Sequence, residues 1–145
     1  NLEKRYEYSL YILKSPSGPR AEAAFRELME TEPLGHACEW ETSVMMAVAP
    51  ECVRMDQQKY PEPVKPLGRT SHLPGVHTGL WWYADYPEQV VGCPSAATAE
   101  KGRAILQAMV EDTAERLRAI KTDRTVPSLK AEFLKRCDAV RRCEE

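Results

Sequence analysis

Apolar and polar positions divide the chain into stretches of distinct texture. Residues 7–13, Glu-Tyr-Ser-Leu-Tyr-Ile-Leu, concentrate aromatic and branched side chains and predict a strand. Turn-forming residues 15–19 follow, and Pro19 stands where the first turn of a helix tolerates proline. Ala23, Ala24, Phe25, Leu28 and Met29 then recur at helical spacing, predicting a helix to about Glu32. Strand, turn and helix in that order predict an α/β unit. Next, Gly-His-Ala-Cys-Glu-Trp-Glu-Thr-Ser (35–43) leads into an apolar run at 44–49 that Pro50 closes. A helix apolar on all sides is expected to be buried.

From Met55 to Pro94 the periodicity disappears. Six prolines (Pro61, Pro63, Pro66, Pro74, Pro87, Pro94) and glycines at 68, 75, 79 and 92 exclude long regular elements. A loop of that length inside a compact domain is functional or disordered. Its rings at Tyr60, His72, His77, Trp81, Trp82, Tyr83 and Tyr86 point to order. Helical spacing returns after Thr98, a candidate N-cap with Glu100 in the first turn, where the helix dipole favours an acid. Ile105, Met109, Leu117 and Ile120, with Ala104 and Ala108, predict one apolar stripe. Ser128 is expected to cap a last helix whose Leu129, Phe133, Cys137 and Val140 share a face. No repeat or low-complexity stretch interrupts the pattern.

Composition narrows the function classes. A length of 145 residues suits one domain, and 43% hydrophobic with 29% charged residues is ordinary for a globular protein. The net charge of −2 makes no electrostatic case for nucleic acid. The basic group Lys135, Arg136, Arg141 and Arg142 reads as a solvated helix face. No apolar run approaches the roughly 20 residues that span a bilayer. The five cysteines (Cys38, Cys52, Cys93, Cys137, Cys143) are odd in number and form no CxxC, which argues against a disulfide framework or structural zinc. A reducing cytoplasm is the expected setting.

The sharpest candidate chemistry lies between His36 and Glu41. Five steps do not return to the same helix face, so His36 is expected on the loop and Glu41 in the first helical turn. Glu41 then shares a face with Met45 and Val48, at helical offsets of four and seven, while Glu39 points nearly opposite. A carboxylate along an apolar face needs a counter-charge. A metal ion, His36 or a distant basic residue would supply it, unless Glu41 is an ordinary first-turn acid stabilised by the helix dipole.

The 35–43 segment resembles the creatininase family's pattern of Gly-His-Ala, a small residue, two variable positions and Glu-Thr-Ser. Ala-Thr-Ala-Glu-Lys-Gly (97–102), after the turn Gly92-Cys93-Pro94, is similar to the family's later helix start. The likeness covers roughly residues 7–122. It implies a three-layer α/β/α fold with a mainly parallel sheet, present here as an incomplete C-terminal part of a single domain in which helices dominate. It implies hydrolysis of the C–N bond of a small cyclic or linear amide, with two divalent metal ions (zinc, manganese or iron) and a homo-oligomeric assembly. By that likeness His36 matches a histidine that shuttles protons to the departing nitrogen, a role suited to an imidazole. Glu41 matches the acid at or beside the metals. The family's remaining ligands, a Glu-x-His pair, an Asp and an Asn-Gly-His motif, have no counterpart in these residues. They are expected N-terminal to this region or from a partner chain. The tryptophan that precedes the histidine in creatinine-specific members is also missing from 30–34, which puts creatinine in doubt as substrate.

Between the two motifs, residues 55–94 read as an insertion whose His77, Trp81, Trp82 and Asp85 either wall the substrate pocket or anchor a core or subunit interface. A metal site from His72, His77 and Asp85 lacks a fixed scaffold. A competing reading from another class is a non-catalytic α/β module whose aromatic loop binds a partner protein.

Overall fold

The computed structural model describes residues 8–142, the last two as backbone only. Glu7, Cys143 and the side chains of Arg141 and Arg142, named above, lie outside the described residues. Among the described residues five α-helices occur in order: α1 Pro19–Leu28, α2 Glu39–Val48, the short α3 Trp81–Asp85, α4 Ala99–Thr122 and α5 Thr125–Arg142. Two 3-10 turns, Pro50–Cys52 and Met55–Gln57, follow α2.

No strand occurs among the described residues; only an isolated antiparallel bridge joins Val64 to Gly92. The expected sheet is therefore not found. Residues 8–13 run as irregular chain, with Leu10 57% and Ile12 78% exposed. β-propensity describes fit to a half-buried pleated surface, and no described strand supplies that surface. Residues 8–17 instead lie along α4 and α5. Tyr11 Oη donates to Asp123 (2.6 Å), and Arg116 donates to the carbonyls of Ser15 (2.6 Å) and Ser17 (2.5 Å).

Helix α4 is the spine, with α1 and α2 packed against it. Gly18 precedes α1 and offers no side-chain cap, leaving the first amides of the helix without a local acceptor. Asp112 of α4 fills that role: its carboxylate accepts from Arg20 N (3.3 Å) and Ala21 N (3.0 Å), an anion at the positive end of a helix. Helix α1 stops at Leu28, short of the expected Glu32, for a comparable reason. The amides of Glu30 and Thr31 donate to the Glu39 carboxylate and so cannot continue the helical ladder.

Helices α2 and α4 cross where Gly102 meets Ser43. A Cβ built on Gly102 would lie 1.9 Å from Ser43 O, so only glycine permits this approach. Ser43 is fully buried there; its hydroxyl donates to Glu39 O (2.6 Å) and accepts from Thr98 N (3.1 Å). Thr98 caps α4 as expected, accepting from Lys101 N (3.2 Å). The buried line of α4 is Gly102, Ile105 and Asp112, while the outer part of the predicted stripe is open, with Leu117 46% exposed. The last helix begins earlier than expected. Asp123, not Ser128, caps it by accepting from Thr125 N and Val126 N, both at 3.0 Å. Its face of Leu129, Phe133 and Val140 is exposed.

Candidate active site

Helix α2 separates two environments. Toward α4 it turns Glu39 and Ser43, both fully buried. On the other side Glu41 and Met45 face an open cleft of about 530 Å³. The expectation that this helix is buried all round is thus corrected: Met45 is 41% and Val48 59% exposed. Apolar composition on every face did not reveal which face the rest of the chain would leave uncovered.

His36 and Glu41 line this cleft together. His36 sits on the loop before α2, as its spacing predicts, and its ring is held from behind. Nδ1 lies 2.6 Å from the carbonyl oxygen of Gln89, and His36 O accepts from Val91 N at 2.8 Å. A carbonyl has no proton to give, so in the neutral ring Nδ1 carries the hydrogen and Nε2 keeps its lone pair. Trp82 meets the imidazole edge-on, ring centroids 5.8 Å apart.

Glu41 is half-buried, and Oε2 accepts from Ala37 N at 2.6 Å. Ala37 has a positive φ of 54°, uncommon for a residue with a side chain. The carboxylate thereby ties the turn carrying His36 to the first turn of α2, an acid in the position where helix N-termini favour one. Its hydrogen-bond partner is thus a backbone amide.

The acid of α2 that does face a cation is Glu39. Lys101 Nζ lies 2.5 Å from Glu39 Oε1 and 2.6 Å from Glu30 Oε1, and Thr31 donates its hydroxyl to Glu39 Oε2 at 2.8 Å. Burial opposes the charge on Glu39. Lys101, the Thr31 hydroxyl and the amides of Glu30 and Thr31 outweigh it and hold the carboxyl below its ordinary value. Burial likewise opposes the Lys101 charge, and the two glutamates reverse that and raise its pKa. This network was not read from the sequence. One sign of it was available: Lys101 stands in the first turn of α4, where the dipole disfavours a cation, so a strong compensating anion is required.

The aromatic segment forms a chain of rings from His77 to Trp81 (5.3 Å), Trp81 to Trp82 (5.3 Å) and Trp82 to Tyr86 (5.1 Å). Of the sequence candidates there, Trp82 touches His36, while His77 and Trp81 are exposed. Asp85 closes the loop on itself, accepting from Gly68 N at 2.7 Å. None of His77, Trp81, Trp82 and Asp85 lines the cleft of His36 and Glu41. Its far wall is instead residues 52–60, with Cys52, Arg54, Met55 and Tyr60 among them. These positions carry no motif; the 3-10 turns Pro50–Cys52 and Met55–Gln57 lead them away from α2, and the Cys93 thiol donates to the Pro61 carbonyl at 3.1 Å.

Among the described residues no group of three or more His, Cys, Asp or Glu side chains is arranged to hold a metal ion. His36 and Glu41 amount to two donors, fewer than a divalent site requires, so these residues do not by themselves make a metal centre. Described cysteines Cys38, Cys52, Cys93 and Cys137 are free thiols. No described helix is long and apolar enough to cross a membrane.

The model of a family described as "Creatininase: Creatinine amidohydrolase" matches residues 3–117. No curated protein and no solved structure matches the chain.

Proposed function

The chain belongs to the creatininase family, whose membership supports an amidohydrolase-type function, and on that premise we propose that its cleft takes a small amide for C–N bond hydrolysis. His36 is the residue that passes a proton to the departing nitrogen. The observation that carries this is the 2.6 Å contact of Nδ1 with Gln89 O, which leaves Nε2 as a proton acceptor beside a cleft large enough for a small substrate. Glu41 holds the turn that bears His36 and keeps a second carboxylate oxygen for the site. The family is generally metal-dependent. Glu41 is then the ligand this chain offers, and the remaining ligands come from outside the described residues. In this reading the chain is the C-terminal part of a creatininase-like domain working in the cytoplasm as a homo-oligomer. The class is that of hydrolases acting on non-peptide C–N bonds, with zinc, manganese or iron as the metal.

The test uses protein expressed from the full coding sequence, supplied with Mn²⁺ or Zn²⁺ and offered a panel of small linear and cyclic amides, creatinine included. Wild type is expected to hydrolyse at least one member. His36→Ala is expected to lower turnover by about 10²–10⁴-fold, with the thermal midpoint nearly unchanged. Unaltered turnover in that variant removes His36 from the mechanism.

A second reading, a non-catalytic interaction module, is supported by the exposure of Trp81 (44%) and Tyr83 (55%) on the aromatic loop. Protein that binds no Mn²⁺ or Zn²⁺ in stoichiometric amount and hydrolyses nothing on the panel favours it.

A further inference from the structure

We propose that Gln89 is the positioning residue of this site, setting the tautomer of His36 and seating Trp82 against it. The proposal rests on the reading of His36 as a proton relay and extends it to a residue outside both sequence motifs.

Gln89 is bonded through every polar group it has. Its carbonyl accepts from His36 Nδ1 at 2.6 Å, and its amide donates to Tyr86 O at 3.0 Å. Its side-chain oxygen accepts from Trp82 Nε1 at 2.7 Å, and its side-chain nitrogen donates to Tyr86 O at 3.3 Å. The neighbouring Val91 N donates to His36 O, so the two loops are joined on both sides of the imidazole.

The backbone of Gln89 makes this possible. Its φ is +61°, in the left-handed region that residues with side chains seldom enter. That rotation accompanies a carbonyl aimed at His36 and a side chain turned to Trp82. A residue held in so sparsely populated a conformation by surrounding bonds is the pattern expected where geometry serves a site. The consequence is specific. A carbonyl behind Nδ1 admits only the Nδ1–H form of the neutral ring, so Nε2 is the atom available to accept a proton.

Nitrogen-15 spectra of the His36 ring in the full chain test this. Wild type is expected to give the Nδ1–H pattern. Gln89→Gly keeps the left-handed backbone at no steric cost, so it is expected to retain that pattern while the Trp82 indole proton loses its bond and exchanges faster. Gln89→Pro cannot adopt positive φ and is expected to shift the ring toward Nε2–H. A wild-type ring in the Nε2–H form overturns the proposal, as does a folded Gln89→Pro ring that stays Nδ1–H. Should the proline variant fail to fold, the wild-type and glycine spectra decide, since Nε2–H in either one refutes the carbonyl's role. Failure of the proton-relay reading is recognised separately: the tautomers follow the expected series while His36→Ala keeps full turnover.

Discussion

Glu39 and Glu41 stand two residues apart in the first turn of α2, yet they meet different surroundings. Glu39 has no exposed surface and is enclosed by Lys101, Thr31 and two backbone amides. Glu41 is half-buried at the cleft, bonded to the turn that carries His36. Two steps along a helix turn a side chain through more than half a circle, enough to separate the packed face from the open one. The difference teaches that a carboxylate in a motif is not by that fact the one with the strongest electrostatic environment. Here the buried, fully compensated acid joins helices, and the less compensated acid faces the space where a ligand fits.

Three measurements break or sharpen this contrast. The largest expected effect is on Lys101→Met, which leaves the Glu39 carboxylate buried without its cation. Urea unfolding should report a loss of about 3–5 kcal/mol, and a loss below about 1 kcal/mol would remove Glu39 from the scaffold.

Next comes the acid limb of stability. Because the folded chain holds Glu39 below its ordinary pKa, its contribution is complete above the usual carboxylate range. That contribution is lost as pH falls through the depressed value. Lys101, raised in the folded chain, contributes below the ordinary lysine pKa and loses that contribution as pH climbs through the raised one. Thermal midpoints across pH should therefore fall in acid for wild type and fall less steeply in Glu39→Gln, where the lowered Asp112 and Asp123 keep part of the slope.

The smallest effect on stability is expected for Glu41→Gln, under about 1 kcal/mol, since an amide oxygen still accepts from Ala37 N. Turnover should nevertheless drop in that variant. If Glu41→Gln unfolds as readily as Lys101→Met, the two acids play one structural role and the contrast is lost.

The same division explains what the sequence disclosed. Local signals were legible: the Thr98 cap, the helical spacing around Phe25 and Ile105, and the offset that puts His36 on a loop and Glu41 on a helix. Features made by distant partners were not. Helix α1 ends where Glu39 draws off its next amides, and α5 starts at an Asp123 that also receives Tyr11. Residues 8–13 have strand-like composition and no described strand beside them. The cleft wall at 52–60 and the left-handed backbone of Gln89 leave no periodic or motif trace. Aromatic richness led toward 77–85, of which Trp82 alone among the named candidates reaches His36.

Gly102 touches neither His36 nor Glu41, yet it governs how far apart two helices ride. With no room for even a methyl group against the Ser43 carbonyl, α2 is pressed onto α4 at a fixed gauge. Any bulk at that point would act like a shim. It would push α2 outward and carry the far side of the helix, Met45 and Glu41 included, into the hollow in front of it. The mouth of the site is in this sense calibrated from behind, by the absence of one carbon atom.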